Sequence, residues 1–171
     1  MAGYEFCAIP AVGEEDMSAQ ASVEELTMNL SLAKAREIFE AHAGDVVIGS
    51  DTVVAIGGEV LGKPKNREDA KEMLQLLSGK SHTVYTGVAI ISPQAEEVFC
   101  AAADVEFYPL TDREIEEYLD TDEYKDKAGA YGIQGFGALL IKGIRGDYYT
   151  IMGFPIAEVA RRLKKYEKYF K

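Results

Sequence analysis

The chain has 171 residues, with 29 Asp and Glu against 18 Lys and Arg, for a formal net charge of -11. That length fits one domain or two closely joined lobes, and 47% hydrophobic against 27% charged residues gives a core dense enough to exclude intrinsic disorder. The acidic balance argues against a nucleic-acid polymer or an anionic membrane surface as partner, since both demand a basic face, but it leaves room for a small anionic ligand held by a few lysines or a metal ion.

In chain order, residues 22–43 carry helical periodicity. Leu26, Leu30, Ala33 and Ala41 lie near one face and Met28, Leu32, Ala35 and Phe39 near the other, so a helix buried between two layers is expected. Residues 45–56 form a β-branched run suited to a strand covered on both faces, closed by a Gly57-Gly58 reversal. Asn66 reads as the cap of a helix striped by Ala70, Met73, Leu74 and Leu77 and ended by Gly79. Strands are expected at 82–91 and 97–107, joined through Ser92-Pro93, and Thr111 with Glu114 reads as a capping box opening a helix to Leu119. After a glycine-rich stretch at 129–137, a strand is expected at 138–144 and an extended segment at 148–152. Pro155 then starts a final helix with Ile156, Val159, Ala160, Leu163 and Tyr166 inward. This order indicates an α/β fold, a mixed twisted sheet flanked by helices.

Cys7 and Cys100 are far apart and form no C-x-x-C pair, so a zinc knuckle or disulfide framework is not expected. No run approaches the ~18 apolar residues of a membrane span, and the N-terminus lacks a signal-peptide layout, so a cytoplasmic location is expected.

Polar residues inside apolar elements are the candidates for chemistry, because an unpaired buried charge costs several kcal/mol. Asp51, between Val46-Val47-Ile48 and Val53-Val54, would be tolerated if it held a metal ion, activated a water or was paired; a cap or bulge at a strand end is the alternative. Lys63 follows Gly62 and precedes Pro64 in a turn, where it serves either a ligand or solvent. Lys34 lies beside the stripe of the first helix, where snorkelling is the plain reading. Together with Lys127 these lysines would supply the positive charge a triphosphate demands. The glycines at 129, 132, 135 and 137 permit an amide nest for an anion, with Gln134 placed to read a base or orient water. His42 and His82 read as structural, and Tyr148-Tyr149 as core packing, with a stacking platform as the alternative.

Ile48-Gly49-Ser50-Asp51-Thr52-Val53-Val54, Leu61-Gly62-Lys63-Pro64, Leu77-Ser78-Gly79 with His82, Asp126-Lys127-Ala128-Gly129-Ala130-Tyr131-Gly132-Ile133-Gln134-Gly135 and Gly153-Phe154-Pro155 occur in the order seen in Maf proteins. The chain resembles a Maf-type nucleoside triphosphate pyrophosphatase along essentially its whole length. The resemblance implies an inosine triphosphatase-like fold with two lobes around a central cleft, a homodimer, and hydrolysis of a nucleoside triphosphate to monophosphate and pyrophosphate with Mg²⁺ or Mn²⁺. By that resemblance Asp51 is the proton acceptor, Lys34, Lys63 and Gln134 contact substrate, and Glu15 joins Asp51 at the metal. Thr52 and Gln134 fit the subgroup that prefers dTTP and UTP. A non-catalytic nucleotide-binding regulator and a purine-directed pyrophosphatase are the rival readings. Family members begin with a strand, a Ser-x-Ser-Pro-Arg-Arg loop and a helix that have no counterpart here. The chain (residues 1–171) is therefore expected to be a single Maf-like domain lacking its first unit, with Met1 resembling an internal methionine.

Overall fold

Long β-branched segments joined by short reversals must pair antiparallel, and that requirement organises the molecule. The structure, a computed structural model, describes residues 3–13 and 22–169. Strands β1 (Val47–Ile56), β2 (Glu59–Leu61), β3 (Ser81–Ser92), β4 (Ala95–Phe107) and β5 (Ile141–Arg145) form one sheet in the order β2-β1-β3-β4-β5. The α/β class and the flanking helices hold, whereas the expected mixture of strand directions does not extend to the described strands, which all pair antiparallel. The reason is connectivity: β1 turns into β2 through Gly57-Gly58 and β3 into β4 through Pro93-Gln94.

Helix α1 (Val23–Ala41), capped by the Ser22 side chain, lies on one face of β1 and β3. Two glycines permit that approach. A Cβ at Gly49 would stand 2.4 Å from the Ser31 carbonyl oxygen, and one at Gly87 would stand 2.1 Å from that of Thr27. The helix buries a single seam of Leu26, Thr27, Leu30, Ser31 and Ala35, rather than being covered on two sides as its apolar pattern predicted. Small residues in that seam bring backbone close to backbone, and Met28, Leu32 and Phe39 flank it half-buried.

Strand alternation sends Ile48, Ser50, Thr52 and Val54 of β1, with Val84, Thr86, Val88 and Ile90 of β3, to the opposite face. Two apolar clusters divide that face. Helices α2 (Arg67–Leu77) and α3 (Asp112–Leu119) cover Val54 and Val84 with Leu74, Leu77, Ile115 and Leu119. Val159 and Leu163 of the final helix pack on Val88, Ile90 and Phe99. The polar trio Ser50, Thr52 and Thr86 is left between the two clusters, and a cleft opens there. Asn66 caps α2 by accepting from the Asp69 N–H at 2.8 Å, and Thr111 with Glu114 completes the expected capping box.

Two segments depart from the sequence pattern. Residues 138–140 belong to a 3-10 turn, Gly135–Leu140, and pairing with β4 begins only at Ile141. At Gly137 a Cβ would meet the Gly132 carbonyl oxygen at 2.1 Å, so the chain doubles back before it can extend. Tyr148–Ile151 is a short helix, α4, where an extended segment was expected. The Asp147 carboxylate starts it by accepting from the N–H groups of Tyr149 and Thr150, and Gly153 at φ +91° ends it. Tyr149 is consequently exposed rather than in the core, with the half-buried Tyr148 ring edge-on to it. Pro155 is the cap of the last helix, α5 (Ile156–Leu163), one residue before its expected place in the first turn. No helix among the described residues is long and apolar enough to cross a membrane.

Candidate active site

β2 pairs only with residues 54–56 of β1, so among the described residues the stretch 47–53 is a sheet edge. A cleft of about 490 Å³ crosses that edge and draws side chains from both faces. Lys34, Asp51, Thr52, Lys63, Lys127 and Gln134 all line it. Residues separated by as many as a hundred positions, chosen from sequence, therefore share one site; Glu15 lies outside the described residues.

Asp51 sits in the middle of β1, opposite Gly87, so it is not a strand-end cap. It points toward α1, where the Lys34 ammonium donates to its Oδ1 in an ion pair. The side chains are 10% and 26% exposed respectively, so neither snorkelling nor a lone buried carboxylate describes them. Both residues line the cleft.

Lys63 and Lys127 stand exposed on the rim, in two turns that one backbone bond ties together, from the Gly129 N–H to the Gly62 carbonyl at 3.0 Å. Gly129 has φ +67°, and its Cβ would press on the Val54 side chain at 3.0 Å, so glycine is required both for the turn and for the contact. The loop is anchored from behind by Tyr131, whose hydroxyl meets His82 Nε2 at 2.7 Å while Phe107 packs edge-on to both rings. His82 is thus structural, as its isolation suggested. Burial pushes its imidazole down to about 4, against a smaller opposing pull from the Asp104 charge.

Two amides of the expected anion nest in this loop are already taken. The Glu123 carboxylate accepts from the Phe136 N–H at 2.8 Å and the Gly137 N–H at 3.4 Å, and a Cβ at Gly135 would collide with it at 2.5 Å. These amides bind an internal anion, while Gln134 stays exposed on the cleft. Glu123 gave no signal in sequence, lying in the acidic turn Thr121-Asp122-Glu123 without periodicity.

A second wall was legible only at Thr52, while its partners Thr86 and Thr150 gave no signal in sequence. Ser50 Oγ donates toward the Gly153 carbonyl at 2.8 Å and the Gly87 carbonyl at 3.0 Å. Thr52 Oγ1 lies 2.8 Å from Thr86 Oγ1, and Thr86 donates to the Thr150 carbonyl at 2.7 Å. The cleft is therefore lined by the ammonium groups of Lys34, Lys63 and Lys127, the carboxylates of Asp51, Glu123 and Asp126, and the hydroxyls of Ser50 and Thr52. No group of three or more metal-ligating side chains occurs among the described residues. A Mg²⁺-type ion, however, characteristically takes only one or two carboxylates plus phosphate oxygens, and the hard oxygens of Asp51 suit that mode.

A family model described as Maf-like protein matches residues 1–166. A dTTP/UTP pyrophosphatase of Bacillus cytotoxicus is 45% identical over 167 residues, covering 98% of this chain and 87% of that protein. One from Bacillus cereus is 47% identical over 154 residues, with coverages of 90% and 81%, and one from Bacillus anthracis is 45% identical over 166 residues, with coverages of 97% and 87%.

Proposed function

The chain belongs to the Maf family, and from that premise we propose that it hydrolyses dTTP and UTP to the monophosphate and pyrophosphate. The observation that carries this reading is the convergence of the Asp51–Lys34 pair, Lys63, Lys127 and Gln134 on one cleft.

The chemistry is in-line attack by water on the α-phosphorus. A bond forms from the water oxygen to phosphorus, the bond from phosphorus to the bridging oxygen of the β-phosphate breaks, and pyrophosphate leaves with the electron pair. Asp51 accepts the proton of the attacking water, and Lys34 orients its carboxylate. Lys63 and Lys127 neutralise charge on the phosphates, which suits a reaction that needs positioning and electrostatics more than covalent help. A divalent cation, Mg²⁺ or Mn²⁺, would be held by Asp51 and, beyond the described residues, Glu15, and would supply further charge neutralisation. Thr52 and Gln134 face the base. We further read the chain as a homodimer, the state the family resemblance implies, which sedimentation of the purified protein checks.

The test is pyrophosphate release from dTTP and UTP with Mg²⁺, alongside inosine triphosphate, for the wild type and Asp51→Asn. Turnover of the pyrimidine substrates is expected, falling about 10²- to 10⁴-fold in the variant, the range a positioned general base contributes. Undiminished turnover in Asp51→Asn would remove the proton-acceptor role. Stabilisation by dTTP without pyrophosphate release would favour a binding protein, and preference for inosine triphosphate a purine enzyme.

A further inference from the structure

Thr86 lies in the middle of β3, fully buried between Val84 and Val88, and directly opposite Thr52 of β1. A valine would fill such a position without the desolvation cost of a hydroxyl, so the hydroxyl calls for an explanation. Its two contacts supply one when protons are counted. The Thr150 carbonyl has no proton to give, so at 2.7 Å Thr86 must be the donor there. The same carbonyl accepts the Gly153 N–H at 3.0 Å. Thr86 has one hydroxyl proton and has used it, so in its 2.8 Å contact with Thr52 it can only accept. The Thr52 proton consequently points inward, and the Thr52 oxygen offers the cleft lone pairs alone. Ser50, two residues away on the same face, likewise directs its proton to backbone carbonyls.

We infer that Thr86 is a positioning residue for base selection: by holding Thr52 as an acceptor-only hydroxyl, it selects nucleobases whose ring nitrogen carries a proton. Thymine and uracil present an imide N–H at N3, flanked by carbonyls. Cytosine presents a bare lone pair at N3, which an acceptor-only oxygen repels. The carbonyl that fixes the relay is itself held, since α4 is capped by Asp147, which accepts from the Thr150 N–H and hydroxyl at 3.1 and 3.2 Å. The selecting geometry therefore runs from the Asp147 cap through Thr150 and Thr86 to Thr52. This rests on the reading of the cleft as a pyrimidine nucleotide site.

The experiment compares kcat/KM for dTTP and dCTP in the wild type, Thr86→Val and Thr86→Ser, with product binding (dTMP against dCMP, by thermal shift) measured in parallel. Valine frees the Thr52 hydroxyl to rotate and donate, so the dTTP:dCTP ratio should fall about tenfold, the size of one hydrogen-bond discrimination. Serine restores the relay and should bring the ratio back to within about twofold of wild type. A merely structural role would lower both substrates together and leave the ratio alone. An unchanged ratio in Thr86→Val overturns the inference even if dTTP hydrolysis stands. Absence of turnover with dTMP-over-dCMP binding that collapses in Thr86→Val overturns the hydrolase reading and upholds the inference. Binding of neither nucleotide overturns both.

Discussion

Asp51 and His82 make an instructive pair. Each is a polar side chain set into an apolar strand of the same sheet, and each is largely withdrawn from water, at 10% of the side chain and 3% of the residue exposed. Among the described residues no counterion forms an ion pair with His82, and burial drives its imidazole to about 4, so at neutral pH it is an uncharged ring wedged against Phe107 and bonded to Tyr131. Asp51 stands at a sheet edge with an ammonium delivered by α1. The difference lies in what the fold supplies: where it brings only apolar rings and a hydroxyl, a titratable group is neutralised and serves the core. Where it brings a counter-charge and an opening, the ion pair is available to a ligand.

The largest effect should come from breaking the ion pair at its lysine end. In Lys34→Met the Asp51 carboxylate loses the Lys34 ammonium in a mostly buried setting, and turnover of dTTP should fall about 10²- to 10³-fold. The melting temperature should fall as well, because a largely buried carboxylate loses a counter-charge, so turnover is compared at temperatures well below the melt. Steady-state kinetics beside a thermal melt separate the two. Full activity in Lys34→Met would abolish the contrast with His82.

Next in size is the seat of α1, which delivers Lys34. In Gly87→Ala the new Cβ meets the Thr27 carbonyl oxygen at 2.1 Å, a backbone atom that cannot swing away. Destabilisation of about 3 kcal/mol is expected from such overpacking, read as a shift of the urea midpoint. Gly143→Ala is the matched control, since nothing lies within 4 Å of its Cβ position, and it should stay within about 0.5 kcal/mol.

The seat of α1 also shows where sequence reading stops. The first helix, both side-chain caps at Asn66 and Thr111 and the central hairpin were legible, because each follows from local periodicity or a local hydrogen bond. The residues gathered in the cleft were legible only in part. Asp51, Lys34, Lys63, Lys127 and Gln134 carry polarity where the pattern is apolar or glycine-rich, whereas Thr86 and Glu123 act through partners more than ten residues distant. Tyr148-Tyr149-Thr150-Ile151 has the β-branched and aromatic content of a strand, yet Asp147 and Gly153 bound it into a helical turn. Ala138-Leu139-Leu140 looks like the start of a strand, but the close approach of Gly137 to Gly132 defers it to Ile141, leaving Leu139 74% exposed. Propensity lost in both places to a contact outside the segment.

The smallest effect tests the other member of the pair. His82 has a folded-state value of about 4 against the ordinary 6.5, so between those values the unfolded chain binds more protons than the folded one, and stability rises with pH. Its contribution is fully present above 6.5 and is lost progressively as pH falls toward 4. Between about pH 7 and pH 5 the loss should be about 2 kcal/mol. Glu116, held below the usual carboxylate range by Lys71 and Arg67, adds its own loss only below its ordinary 4.5, so the upper window belongs to the imidazole. His82→Gln keeps a polar group where Nε2 meets Tyr131 but cannot titrate. Its urea midpoint should therefore move less than that of the wild type between the same two pH values. An equally steep loss in the variant would mean that some other group titrates in that window, and that His82 is not held neutral by burial in the way that sets it apart from Asp51.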